Sequence, residues 1–330
     1  MASPLATVGI LSIGQMGLGI AKLLVAHNYS VITNIGNRSE ATQQRARDAQ
    51  LGLASTDVEL VAKCDYILSI VPPRDAVATA ARVVNALNST PLAHSSSSPL
   101  YYLDLNAISP STVLAISETF TRSPHKVTFI DGGIIGGPPA PNAGDVNLPW
   151  TRPGVPLSGP HPLHEAPLSG AHLALTLNSK YVGPRIGSAS GLKCCFAALS
   201  KGMTALAIQS FSTAASLDVL PHLQSYLENY NPKAKEAAER GIVGCPQKAY
   251  RWIEEMNQIG QCFEEDGGWV QQAQVFRQIA GVYEKLAQVV EKRGGTEGMD
   301  NIQGVLGALG EGLNVKEMKR TVEELEQDDR

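Results

Sequence analysis

The sequence predicts a doubly wound α/β domain over residues 1–186, followed by an all-α domain over residues 187–330. Three observations predict it. Short β-type runs alternate with helical patterns throughout the first half, and several of the runs, such as "YILSIV" and "VTFID", are apolar almost throughout. From Ser188 to Leu217 the chain then reads as one long proline-free helix rich in Ala, Leu, Cys, Phe and Met. A strand that is apolar on both sides needs helices above and below it, which is the condition inside a parallel sheet.

The elements follow in order. Thr7–Leu11 is a strand that turns into a helix ending at Ala26, and Ser30–Asn34 leads into a helix over Glu40–Ala49. Gly52–Ala54 precedes Asp57–Ala62, and Tyr66–Val71 precedes Asp75–Leu87. Tyr101–Asn106 leads to a helix near Pro110–Phe120, after which Lys126–Ile130 opens another strand. Asn88–Leu100 is a Ser- and Pro-rich insertion with the composition of a surface loop. Between Gly136 and Gly170 proline is too frequent for helix, and "GVPLSGP", "LALTL" and "SKYVGP" read as hairpin-type strands that extend the sheet. Beyond the long helix, Leu220–Asn229, Pro246–Phe263 and Val270–Val290 are amphipathic helices, and after Arg293 come glycines and a short charged helix ending "KEMKRTVEELEQDDR".

Composition excludes several classes. A net charge of −4 over 330 residues, with Lys and Arg dispersed, offers no basic stripe for nucleic acid. The five cysteines form no CxxC pair. No segment reads as the roughly 18–20 unbroken apolar residues of a membrane span, so the expectation is a soluble, cytoplasmic protein with no membrane partner. His161, His164 and Glu165 sit together in the Pro-rich stretch, where solvated histidines are commoner than ligands, and no metal is assigned.

The stretch "GILSIGQMGLGIAKLL", Gly9–Leu24, carries the first chemistry. A glycine-spaced turn between strand and helix lets backbone N–H groups approach a pyrophosphate while the helix presents its positive N-terminus to the same anion. Ser12, Ile13, Gly14, Gln15, Met16 and Gly17 would form that turn, as Ser12-x-Gly14-x-x-Gly17 with serine at the first glycine position. Serine is small enough for the turn if its φ stays negative. An NAD site usually has an acid at the end of the second strand, but here "VITNIGNRS" has none before Glu40. Asn34, Asn37, Arg38 and Ser39 supply donors and a fixed cation instead, which suit the 2′-phosphate of NADPH. The alternative is a solvated Arg38 that caps the next helix. Val71 and Pro72 close the fourth strand and would line the cofactor groove. Asn106 follows the fifth strand, where its amide would meet the nicotinamide ribose or substrate, or else cap the following helix.

The order of these stretches resembles the β-hydroxyacid dehydrogenase and 6-phosphogluconate dehydrogenase superfamily. "IGQMG" resembles its cofactor turn and "NRS" its NADP-selecting element. "FIDGGIIGG" (Phe129–Gly137) resembles its substrate-contact strand, "GSASGLK" (Gly187–Lys193) the segment that ends in its catalytic lysine, and "KAYRWIEEM" (Lys248–Met256) a branch with a distinctive helical domain. The resemblance implies a Rossmann domain with a helical C-terminal domain, and NADPH as cofactor. It implies Lys193 as acid–base catalyst, and a small-molecule substrate held near Gly133, Ile135, Gly136, Gly137, Phe196 and Ser200. Helical domains often pair in the superfamily, and the apolar helical half predicts a homodimer. Ile135 and Phe196 replace the serine and asparagine that many members carry, and Ser200 stands where decarboxylating members have glutamate. Decarboxylation is therefore not expected.

Lys193 is flanked by Leu192, Cys194, Cys195 and Phe196. It either points to solvent or faces a cleft, where partial desolvation would suit it to general acid–base work. Helical spacing stacks Ser200 nearly above it and turns Lys201 aside as an ion-pairing or rim residue. Trp252 and Glu255 share one helical face, either as ordinary packing or as groups offered to a partner's cleft. Three functions fit these residues: an NADPH-dependent dehydrogenase or reductase acting on a carbonyl or hydroxyl group, an imine reductase of the same fold, and a non-catalytic NADP-binding sensor.

Overall fold

A computed structural model describes residues 3–36, 39–89, 99–142 and 150–313. Asn37 and Arg38, most of the Ser- and Pro-rich insertion and the charged tail therefore lie outside the described residues. The chain divides into two compact units, Met1–Phe196 with Glu265–Gly267, and Ala197–Glu264 with Gly268–Arg330.

The first unit alternates strands and helices. They are β1 (Thr7–Leu11), α1 (Gln15–Ala26), β2 (Ser30–Asn34), α2 (Glu40–Asp48), β3 (Gly52–Ala54), α3 (Asp57–Lys63), β4 (Tyr66–Ser69), α4 (Ala76–Asn88), β5 (Leu100–Asp104), α5 (Pro110–Thr121) and β6 (Val127–Gly132). The short strands β7 (Ala140–Pro141) and β8 (Trp150–Thr151) form a separate antiparallel pair. Then come β9 (Val155–Ser158), α6 (Gly170–Thr176) and β10 (Ser179–Gly183). The eight-stranded sheet has the order β10-β9-β6-β5-β4-β1-β2-β3, parallel except where β9 meets β6. Strands 3-2-1-4-5-6 are the order of a Rossmann fold, with its topological switch point between β1 and β4.

Apolar spacing makes the layers. Ile20, Ala21 and Leu24 of α1, Ala46 of α2 and Leu173 of α6 cover one face of the sheet with Val8 and Ile10. Leu60 of α3, Ala80 and Val83 of α4, and Val113, Ile116 and Phe120 of α5 cover the other. Each large side chain so buried contributes roughly 1.5–3 kcal/mol. Helix starts are explicit: Ser39, Thr56 and Ser109 accept from the backbone N–H three residues on, and Pro110 occupies the first position of α5.

Two expectations are corrected in the Pro-rich half. "LALTL" is helix, not strand. Its alternating leucines also fit a helical i,i+4 spacing, with Leu173 and Leu177 buried while Leu175 is 72% exposed. As a result "GVPLSGP" and "SKYVGP" are joined by a helical crossover and pair in parallel, rather than as a hairpin. The fourth strand also stops at Ser69, short of Val71.

Helix α7 (Ser188–Ser216) runs from the first unit into the second. The second unit continues with α8 (Leu220–Tyr230), α9 (Pro232–Gly244), α10 (Ala249–Glu265), α11 (Gln274–Lys292) and α12 (Ile302–Leu313). The break between units falls after Phe196, not at 186/187, because the first turns of α7 are bonded to β6. Helices α9 and α12 had no expectation. The first is highly charged and buries only Ile242, and the second is interrupted by glycine at every turn, which reads as loop. Among the described residues, α7 is also long and apolar enough to cross a membrane by length and composition, contrary to the expectation that no segment is. That test is equally met by core helices, and Lys193 and Lys201 of α7 both bond within the fold.

Candidate functional site: a dinucleotide turn and a buried-carboxylate anchor for Lys193

At the switch point, β1 ends in Leu11 and the chain turns through Ser12–Gly14 into α1. Ser12 adopts φ 75°, so the expectation of a negative φ is wrong. The serine takes the left-handed conformation that glycine would take there, at a cost of about 1–2 kcal/mol. The two glycines do different work. A Cβ on Gly17 would lie 2.1 Å from the Ser12 carbonyl oxygen, so Gly17 is required for the helix to close on the turn. A Cβ on Gly14 would meet nothing within 4 Å, and its φ of −62° suits any residue. Neither the backbone nor the packing of this protein requires glycine at position 14. It keeps space open in front of α1, whose N-terminus has no side-chain cap and no acid in its first turn. That uncapped, donor-rich helix end fits an anion such as a pyrophosphate. Ile13 is buried, Gln15 exposed and Met16 half-buried against the core.

Beside the turn, a groove is lined by Ile10, Leu11, Ser12, Asn34, Val71, Thr79 and Arg82. Val71 lies in this groove, and its N–H donates to Asn106 Oδ1 at 2.7 Å. Asn106 is buried, and its Nδ2 donates to Ser69 Oγ at 3.0 Å. Asn106 thus ties the end of β4 to the end of β5. It is not the cap of α5, which is Ser109; its amide oxygen accepts from the Val71 N–H. Pro72 is half-buried beside Val71. Ser39 caps α2, the role the alternative reading gave to Arg38.

Lys193 is half-buried, and its Nζ donates to the carbonyl oxygen of Ile134 at 2.6 Å. The solvent-facing alternative is therefore set aside. Its stem packs on Gly133, where an added Cβ would stand 2.9 Å from Lys193 Cβ. Ile135 exchanges two 2.8 Å backbone bonds with Gly154, fixing the segment, while Gly136 and Gly137 are exposed. Phe196 is exposed in the last turn of α7 that belongs to the first unit. Ser200 is exposed and belongs to the second unit. Lys201 is ion-paired with Glu255 and lies 5.1 Å from the Trp252 ring, which itself packs edge-on against Tyr283. Within this chain Glu255 pairs with Lys201, and Trp252 packs against Tyr283.

The residue that sequence reasoning passed over is Asp131, at the end of β6. It is fully buried, and its Oδ2 accepts from the backbone N–H groups of Gly187 (2.8 Å), Ala189 (3.1 Å) and Ser190 (3.3 Å) and from Ser158 Oγ (2.7 Å). Its Oδ1 accepts from Ser190 Oγ at 2.6 Å. A carboxylate from the sheet thus caps α7 one turn ahead of Lys193 and fixes where the lysine emerges. Burial pushes the Asp131 carboxyl up, and bonds from Ser190 and Ser158 pull it back. Its strand neighbour Asp104 is pushed up to about 7, chiefly by burial and further by Asp131. Among the described residues no group of three or more His, Cys, Asp or Glu could hold a metal.

Comparison with known proteins gives the class and then the domains. Residues 7–149 match the NAD binding domain of 6-phosphogluconate dehydrogenase, and residues 214–286 match a domain of unknown function, DUF1932. This is a nicotinamide dinucleotide-binding Rossmann protein. Its N-terminal part is an NAD-binding domain of the 6-phosphogluconate dehydrogenase type, and a DUF1932 domain follows toward the C-terminus. None of the curated proteins compared with the chain matches it. Among solved structures, MTH1747, a conserved protein described as structurally similar to 3-hydroxyacid dehydrogenases, is 23% identical with a TM-score of 0.59, over 86% of this chain and 97% of that one. A 3-hydroxyisobutyrate dehydrogenase from Mycobacterium tuberculosis, solved with L-serine, is 14% identical with a TM-score of 0.60, over 92% and 99%. An imine reductase from Myxococcus stipitatus, in complex with NADP+, is 18% identical with a TM-score of 0.50, over 92% and 99%. These likenesses show the fold. Lys193 lies between the two matched domains, so its role rests on its own geometry.

Proposed function

We propose that this protein is an NADPH-dependent oxidoreductase that interconverts a carbonyl and a hydroxyl group on a small-molecule substrate, with Lys193 as general acid and base. The observation that carries the reading is the placement of Lys193. A half-buried ammonium is held at 2.6 Å by the Ile134 carbonyl, on a helix anchored by a buried carboxylate. The Ser12–Gly17 turn and the α1 N-terminus would hold the pyrophosphate, with Val71 and Pro72 beside it. When bound, the nicotinamide supplies or accepts a hydride. In carbonyl reduction Lys193 Nζ gives a proton to the substrate oxygen, and in the reverse direction the neutral amine takes the hydroxyl proton. The carbonyl of Ile134 orients the amine for either direction. Gly133, Ile135, Gly136, Gly137 and Phe196 would border the substrate. Ile135 and Phe196 make that border apolar, so a small hydroxycarboxylate is one candidate among less polar carbonyl compounds.

The preference for NADPH is supported by Arg38 and Ser39. The homodimer is supported by a row of exposed side chains along α7, at Leu192, Phe196, Leu199, Met203 and Leu206, whose spacing of four, three, four and three residues marks one helix face. Sedimentation at micromolar concentration should give a dimer, and a monomer would remove that part of the reading. Function is tested by following NADPH oxidation with aldehydes, ketoacids and cyclic imines. Turnover of an aldehyde or ketoacid supports the reading. Turnover of imines alone would assign the protein to imine reduction, and binding of NADPH without turnover of any class would favour a sensor.

A further inference from the structure

The acid absent from the end of β2 is present there in space. Asp57, the first residue of α3, accepts from Asn34 Nδ2, and Asn34 Oδ1 in turn accepts from the Gly36 N–H at 2.7 Å. The same carboxylate is gripped by Arg82 of α4, whose Nε and Nη2 each donate at 2.9 Å. Arg82 and Asn34 line the groove that also contains Ser12 and Val71, so the cluster stands where a Rossmann fold reads the adenosine ribose. A lone carboxylate at that place would accept from ribose hydroxyls and repel a phosphate. Here one Asp57 oxygen takes both Asn34 and Arg82 and the other takes the guanidinium Nε, so its charge is matched and its near acceptors are filled. The clamp leaves the Nη1 edge of Arg82 without a partner among the described residues. The fork is already oriented, so less side-chain freedom is lost when it binds.

Building on the reading of this turn as a dinucleotide site, we propose that Arg82, oriented by Asp57, is a cation that reads the 2′-phosphate of the cofactor's adenosine. Arg38 is then not the sole determinant of preference. An arginine within bidentate reach of a phosphate adds charge-assisted bonds that an unphosphorylated ribose cannot make. The pair is partly exposed, at 44% for the Arg82 side chain and 20% for Asp57, so the discrimination is moderate and sensitive to salt.

Four ligands test this by fluorescence or calorimetric titration: NADPH, NADH, 2′,5′-ADP and 5′-AMP. Arg82→Gln should weaken NADPH and 2′,5′-ADP by about tenfold, the usual scale of one charge-assisted contact near a surface, while NADH and 5′-AMP bind as well as before or tighter, because the freed Asp57 carboxylate accepts from an unphosphorylated ribose. Arg82→Lys keeps the charge but not the fork and should fall between the two. Raising the salt should weaken 2′,5′-ADP more steeply in the wild type than in Arg82→Gln. If the wild type binds NADPH and Arg82→Gln leaves the NADPH-to-NADH ratio unchanged, the assignment of Arg82 is overturned while the dinucleotide reading stands. If the wild type binds none of the four ligands, both are overturned. Equal weakening of all four in Arg82→Gln would make Arg82 a general groove residue and refute its role in discrimination.

Discussion

Replacing Asp131 separates the capping account of α7 from ordinary burial. In Asp131→Leu, the N–H groups of Gly187 and Ser190 lose their acceptor inside the protein, whereas the Ala189 N–H keeps a 2.9 Å bond to Ser158 Oγ. The two serine hydroxyls can rotate to other acceptors, but the backbone groups cannot. Two orphaned buried N–H groups at about 1–3 kcal/mol each, with the lost charge at a helix N-terminus, give a destabilisation of about 3–5 kcal/mol. Asp131→Asn should cost only about 1 kcal/mol. Its amide oxygen replaces Oδ2, its Nδ2 donates to a Ser190 hydroxyl that turns to accept, and the buried charge disappears. Urea unfolding followed by circular dichroism measures the difference, and hydrogen exchange at residues 187–190 localises it. The leucine variant should lose protection there while the asparagine variant retains it. If the two variants are equally stable, or protection at 187–190 is unchanged in Asp131→Leu, the carboxylate does not anchor the helix.

Other expectations follow from the same geometry. Gly17→Ala should destabilise the first unit, because its Cβ collides with the Ser12 carbonyl, whereas Gly14→Val should leave thermal stability nearly unchanged and abolish NADPH binding; normal binding by Gly14→Val would count against a ligand in that space. Ser12→Gly should raise stability by about 1 kcal/mol by removing the left-handed serine, as read by thermal or urea unfolding. Asp104 holds its proton from the ordinary 3.8 up to about 7 in the folded protein, so the folded state binds more protons and stability falls as pH rises from about 4 to about 7. A gap of about three pH units limits that loss to about 4 kcal/mol, and Asp104→Asn should flatten the slope; an unchanged slope would mean Asp104 is not the titrating group.

The layered half of the fold is legible because its signals are local. Apolar runs, turns and capping serines recur in chain order, so β1, β2 and β3 have the limits their residues suggest. The errors occur where one pattern serves two structures. The leucines of "LALTL" satisfy both a two-residue and a four-residue period, and only packing against the sheet chooses the helix. Position 12 shows a subtler failure, since nothing in a serine signals that the turn will hold it at positive φ. At the candidate site, motif order singles out Lys193 and the glycine turn but not the residues that support them. Asp57 and Arg82 are brought together across 25 positions by helices on one face of the sheet, and no local spacing signals that pair. Asp131 did leave a trace, as an acid at the end of an otherwise apolar strand, which in a buried sheet requires donors nearby.

The central claim is that the turn binds the dinucleotide while Lys193 moves the proton, and Lys193→Met tests both halves in one protein. Methionine keeps the unbranched stem against Gly133 and removes the amine. NADPH affinity by fluorescence titration should stay within about twofold of the wild type, because the residues proposed to hold the pyrophosphate and adenosine are untouched. Turnover of an accepted carbonyl substrate should fall by about 100-fold to 10,000-fold, the span of a lost acid–base group. Wild-type turnover in Lys193→Met would contradict the account and leave the lysine a structural bond to Ile134.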